Sequence, residues 1–150
     1  MRDAQHIGAI DLTQAQASAL SNRLRDAGLR TTRPRLVLAH LLFANGNRHV
    51  TAEKLFEEAR AVGVSVSLAT VYNTLNQFCE AGLLREVIVD HTRNYFDTNL
   101  HDHHHFYIED EARLIDIDAN AVNVARLPQS PDGYDVDMVE VIIRLNKAAE

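Results

Sequence analysis

The sequence holds one cysteine, Cys79, and no tryptophan in 150 residues. A single thiol excludes an internal disulfide framework and a structural zinc held by four cysteines. Cys79 falls in an apolar helical pattern, so a buried, inert thiol is expected there. Proline and glycine are scarce, 3 and 6 residues, which excludes a collagen-like or linker-like chain. No apolar run approaches the roughly 18 residues that a membrane-spanning helix needs, and no membrane partner is expected. The opening MRDAQHIGAIDLTQ lacks the apolar core of a secretory signal, so a reducing cytoplasm is the expected location.

What is present is unevenly spread. The net charge of −6 argues against nucleic acid until it is mapped along the chain. Residues 1–95 carry 11 Lys+Arg against 9 Asp+Glu, net +2, and residues 96–150 carry 4 against 12, net −8. Five arginines lie between Ser21 and Arg35, opposed by Asp26 alone. A basic stripe in one half and an acidic second half imply two domains with different partners.

Histidine is the other concentration. Of eight, four stand at His101, His103, His104 and His105, inside the stretch DTNLHDHHHFYIEDEARLID from Asp97 to Asp116. HHFYIE and ARLIDID alternate polar with apolar residues, like two antiparallel strands turning at Asp110-Glu111. On a strand, His103 and His105 share one face and His104 takes the other. Asp97 and Asp116 bracket the pair with carboxylates, so metal or haem binding is the expected chemistry. A solvated loop explains scattered histidines better than it explains four among residues 101–105.

Read in order, residues 1–12 show little periodicity and are expected to form a mobile arm, tied down near Leu12. From Thr13 a helix is predicted with Ala19, Leu20, Leu24 and Ala27 on one face and Gly28 at its end. Thr32 caps a second, with Pro34 in its first turn and the apolar run LVLAHLLF as the core; Asn45-Gly46-Asn47 stops it. Thr51 caps a third, with Ala52, Leu55, Phe56 and Ala59 inward. Ser67 caps a fourth, with a stripe of Leu68, Val71, Leu75 and Phe78 and a stop at Gly82. LLREVIV and RNYFD read as a two-stranded wing around Asp90-His91-Thr92. The fold class is therefore α+β: a winged helix-turn-helix over residues 1–96, then a small α/β domain over 97–150. The second is expected to hold the histidine strands, a helix from Ala119 to Leu127, and a long strand, YDVDMVEVIIRL, buried on both faces as in a dimer core.

In such a domain the last helix enters the major groove and basic residues elsewhere grip phosphates. Opposite its apolar stripe the fourth helix offers Ser67, Thr70, Tyr72, Asn73, Asn76 and Gln77, whose hydroxyls and amides suit base edges. Arg30, Arg33 and Arg35 suit the DNA backbone or minor groove. A small helical domain with a polar surface shows the same periodicity.

GLRTTRPRLVLAHL, HVTAEKLFEEA and SLATVYNTLNQFCEAGLL, followed by strands bearing His-x-His, resemble the ferric uptake regulator (Fur) family over about residues 20–145. The resemblance implies a homodimer on double-stranded operator DNA, with higher oligomers possible, in which metal at the domain junction sets the angle between domains. It carries the regulatory site onto His49, Asp97, His103, His105 and Asp116, for iron or manganese, with zinc able to substitute in vitro. The family's structural-zinc cysteines are replaced, by Ile108 and Glu111 at the first pair, so that zinc is absent. A further metal site would fall on Asp102, His104, Asn123 and Val139, and is degenerate. Lacking those cysteines and carrying an HxHHH run, the chain looks most like the iron response regulator branch. That likeness implies a repressor active at low iron and released by haem at His103, His104 and His105. The branch's Cys-Pro haem motif is missing.

Two rivals remain. The three histidines and two aspartates also match a peroxide sensor, against which the missing zinc cysteines weigh, and they suit a sensor of iron or manganese, since such ligands take several divalent metals. His103-x-His105 with Glu109 resembles the two-His, one-carboxylate set of iron oxygenases. The flanking glycines and the barrel such an enzyme needs are missing, so no enzymatic activity is expected.

Overall fold

The computed structural model describes residues 5–7 and 10–149. The chain divides into two compact units, which meet between Leu100 and His101. Asp97, placed with the second domain on motif alone, therefore lies in the first unit.

The first unit is built on four capped helices. Thr13 opens α1 (Gln14–Asp26) with a reciprocal capping box, its Oγ1 accepting from Gln16 N while Gln16 Oε1 accepts from Thr13 N. Thr32, Thr51 and Ser67 cap α2 (Arg33–Phe43), α3 (Ala52–Ala61) and α4 (Leu68–Glu80), each accepting from the N–H three residues on. Pro34 sits in the first turn of α2, where its missing N–H leaves no bond unmade. At the end of α4 the Leu83 N–H returns to the Phe78 carbonyl at 2.8 Å, a closure that requires the left-handed backbone of Gly82, at φ 77°.

These helices bury one apolar cluster. Leu38 and Leu42 of α2, Leu55 and Ala59 of α3, and Val71, Leu75 and Phe78 of α4 are all fully enclosed. Leu20, Ala27 and Phe56 are half-buried against it, and two expected stripe residues are exposed. Ala19 is exposed, and Ala17, one turn before Ser21 and two before Leu24, fills its place. Leu68 is 36% exposed because the first turn of α4 projects beyond the cluster.

The wing is larger than expected. β4 (Arg85–Ile88) and β5 (Asn94–Asp97) pair antiparallel, and the Asp90 carboxylate accepts from both the N–H and the hydroxyl of Thr92 to fix the turn. Those bonds hold its carboxyl below the usual range. A two-residue strand, β3 (His49–Val50), adds to the other side of β5, giving the order β3-β5-β4. Residues 49–50 are too few to show a period of two, so the sequence reads them as a loop. The expected mobile arm is in part a hairpin, with β1 (Gln5–Ile7) paired to β2 (Ile10–Leu12). Leu12 is buried, as expected. The remaining arm residues, 1–4 and 8–9, lie outside those described.

The second unit is a three-stranded sheet, ordered β7-β6-β8. β6 (His103–Ile108) is central, antiparallel to β7 (Arg113–Asp118) and parallel to β8 (Ile142–Leu145). Two expectations fail here. The helix from Ala119 to Leu127 shrinks to one 3-10 turn, Ala119–Ala121, after which Val122 is extended. Asn and Val are poor helix formers, and Pro128 disfavours the α region at Leu127. The long strand keeps only Ile142–Leu145; Tyr134–Val139 is irregular and, in the single chain, exposed. An alternating pattern needs a strand edge to pair with, and β6 offers one to β8 only from His105 to Ile108.

Candidate functional site

The donors expected at one metal site fall into a pair and a triplet. In the first unit, the β3–β5 register sets His49 opposite Asp97. The His49 Nε2 lies 3.2 Å from Asp97 Oδ2, and the Asp97 residue is fully buried. Burial of a carboxylate is costly unless charge or hydrogen bonds compensate, and Asn99 N donates to its Oδ1 at 2.9 Å.

In the second unit, the β6–β7 register sets His105 opposite Asp116 and brings His103 to the same face. Both Nε2 atoms converge on one oxygen, Asp116 Oδ1, from His103 at 3.4 Å and from His105 at 3.5 Å. Their rings meet edge to face, with centroids 4.5 Å apart. The ligand atoms of these three residues lie within 4.8 Å of one another. The His103 Nδ1 faces the His101 carbonyl, so the ring is held from the side away from Asp116. His103 is 6% exposed and His105 fully enclosed, so the bland reading of a solvated loop fails.

These distances suit a cation. Ordinary hydrogen bonds run about 2.7–3.2 Å, and the two on Asp116 are longer. Donors that each stand about 2.0–2.1 Å from one ion lie roughly 3.0–3.4 Å from each other. The chemistry is nitrogen and carboxylate oxygen with no thiolate, a set that suits divalent iron, manganese or zinc.

His104 faces away from this group. Its Nδ1 accepts from Val141 N at 3.0 Å, tying β6 to the start of β8. The three histidines expected to hold haem are therefore split between the two faces of one strand. Nothing in the sequence marks Glu140, yet its Oε1 lies 3.2 Å from His105 Nδ1.

The residues expected to meet DNA are spread over α4 and the lead-in to α2. Asn73 and Tyr72 are exposed on α4, and Arg30 and Arg33 are exposed before and at the start of α2. Tyr72 donates its hydroxyl to Glu53 of α3, and that bond, more than its slight burial, raises the phenol above its usual range. Arg35 is half-buried and divides its guanidinium between the Arg30 carbonyl, 2.9 Å, and Gln77 Oε1, 2.8 Å. Ser67 spends its side chain on the cap and on Thr70 Oγ1.

Residues 26–143 match the model of the ferric uptake regulator family. The chain belongs to that family. It is 30% identical over 114 residues to the peroxide-responsive repressor PerR of Staphylococcus aureus, covering 75% of this chain and 76% of that one. Its fold is similar to that of the ferric uptake regulator from Pseudomonas aeruginosa with manganese. That match has a TM-score of 0.65 and 27% identity, and covers 87% of this chain and 98% of the other. The Vibrio cholerae ferric uptake regulator is similar in fold, with a TM-score of 0.66 and 24% identity over 85% of this chain and 98% of that one. Within the family, a winged helix-turn-helix followed by a small α/β unit is the expected arrangement, and the described elements follow it.

Proposed function

We propose that this Fur-family chain is a metal-responsive transcriptional repressor that binds operator DNA as a homodimer in the cytoplasm. The observation that carries the reading is the convergence of two buried imidazole Nε2 atoms on one Asp116 oxygen. His49 and Asp97 would complete a five-donor set with His103, His105 and Asp116, for Fe or Mn and, in vitro, Zn. A cation held there would supply positive charge to offset the two aspartates. The chain's own part is to hold two enclosed imidazoles beside the partly exposed Asp116 carboxylate, and His49 beside the buried Asp97, at little reorganisation cost. On the DNA side, Tyr72 and Asn73 would meet base edges. Arg30 and Arg33 would meet phosphates, and Arg35, Ser67 and Thr70 would brace that surface while offering their remaining donors. The apolar segment Tyr134–Val139 would be covered by the second protomer.

The relatives favour a second reading, peroxide sensing at the same five donors. The Staphylococcus aureus relative is a peroxide-responsive repressor, and three histidines beside one iron ion are oxidisable. Haem-triggered release, expected from the HxHHH run, is the third. It requires His104 to give up Val141 N, or His103 and His105 to turn from Asp116, so haem and a small cation would compete. One preparation tests all three. DNA mobility is measured on metal-free protein, then with manganese, with iron and hydrogen peroxide, and with haem. Manganese is expected to tighten operator binding, and His103→Ala with His105→Ala to weaken manganese affinity by more than roughly 100-fold. A metal-free protein that binds its operator undiminished refutes the metal-responsive reading. An oxygen atom added to a histidine after peroxide selects the second. A Soret shift that disappears in the His103→Ala, His104→Ala, His105→Ala variant, together with haem-driven loss of DNA, selects the third.

A further inference from the structure

Glu140 lies on the segment that leads into β8, and its Oε1 is 3.2 Å from His105 Nδ1. The other ring nitrogen of His105, Nε2, is the one that faces Asp116 at 3.5 Å. The two nitrogens of an imidazole point away from each other, so Glu140 stands behind the ring and outside the donor group. It is not a candidate ligand. Its place is that of the partner that holds a metal-binding histidine from behind.

The backbone keeps Glu140 there. His105 N donates to the Val141 carbonyl at 3.1 Å, and Val141 N donates to His104 Nδ1 at 3.0 Å. The residue after Glu140 is thus bonded to two successive residues of β6, which keeps the Glu140 backbone beside His105. The His105 side chain is fully buried and that of Glu140 is 19% exposed, so water screens the pair weakly.

We propose that Glu140 is a positioning residue of the metal site, accepting the Nδ1 proton of His105 and so fixing the tautomer that presents Nε2 to the cation. The proposal rests on the reading of His103, His105 and Asp116 as ligands. A carboxylate in that role also makes the imidazole more basic and so a stronger ligand. It carries a structural consequence of its own: the C-terminal strand joins the metal site through His105, although no residue of β8 is a donor.

The test compares wild type with Glu140→Ala, Glu140→Gln and, as a reference, His105→Ala. Manganese affinity is measured by titration, and the zinc-loaded proteins are examined by nitrogen-15 NMR of the histidine rings. Glu140→Ala is expected to weaken manganese binding by roughly 10–100-fold. It should also lose the protected His105 Nδ1 proton seen in zinc-loaded wild type. Glu140→Gln, which keeps an acceptor and loses the charge, is expected to retain that proton and fall between in affinity. A merely structural loss would not restore the proton in the Gln variant. If Glu140→Ala binds manganese like wild type while His105→Ala does not, the positioning role is wrong and the metal site stands. Failure of wild type itself to bind manganese or zinc overturns both.

Discussion

The two units solve the burial problem differently. Every residue of the main apolar cluster, from Leu12 to Phe96, belongs to the first unit, where four helices and the wing close over it. The second unit encloses three apolar side chains outright, Tyr107, Leu114 and Ile117, and its most enclosed polar groups are the histidines of β6. Against these it leaves Tyr134, Val136, Met138, Val139 and Ile143 exposed, Tyr134 at 73%. A sheet of three short strands has too little chain around it to cover both faces. The first unit is thus stabilised from within, and the second, taken as a single chain, leaves much of its apolar surface uncovered.

The sharpest way to break that contrast is in the first core. Phe78→Ala removes a fully enclosed ring and is expected to cost about 3–5 kcal/mol, enough to lower the denaturant midpoint markedly. An unshifted midpoint would mean that the cluster does not carry the first unit. A smaller effect is expected from Val136→Asp with Met138→Asp. These side chains are about half exposed, so the association they can still contribute is roughly 2 kcal/mol, or about 30-fold in dimer affinity. Sedimentation should show monomer, with weaker operator binding and an unchanged unfolding midpoint for the first unit. A double variant that stays dimeric would remove the proposed role of this segment.

The smallest effect concerns Cys79, half-buried on α4. Burial first, then the nearby Glu86 and Glu80 carboxylates, push its thiol up to about 11 from 9.0. The unfolded chain therefore ionises first. Any linked stability is intact below about pH 9 and is lost as pH rises from about 9 toward 11. Alkylation at pH 8 is expected to be slow in the folded protein and to accelerate on unfolding. Equal rates in both states would contradict the assigned environment.

Legibility in the sequence follows the same divide. The helices of the first unit were readable because Thr13, Thr32, Thr51 and Ser67 announce their starts and Gly28 and Gly82 their ends. The strands of β6 and β7 were readable from alternation, which also put His103 and His105 on one face; the register that adds Asp116 was not. β3 was not, because two residues carry no period. The stretch before β8 reads as strand from its apolar, β-branched run, yet a run of that kind reports a tendency to pair and not the presence of a partner. Glu140 was invisible for a related reason: its role depends on a parallel crossover that brings residues 140 and 105 together. The ligand set of the metal site was reached through family resemblance, since no spacing rule ties His49 to Asp97.

The short strand β3 has a mechanical consequence. Arg48, His49, Val50 and Thr51 are consecutive, and Thr51 is already the cap of α3. Arg48 forks both guanidinium nitrogens onto the Glu58 carboxylate of α3 at 2.8 Å, and that partner holds its charge more firmly than usual. Its backbone exchanges two bonds with Thr98, Arg48 N to Thr98 Oγ1 and Thr98 N to the Arg48 carbonyl. A histidine so mounted behaves as a stiff bracket rather than a tether. The backbone that carries its ring is anchored on both sides, to β5 through Thr98 and to α3 through Glu58 and the Thr51 cap.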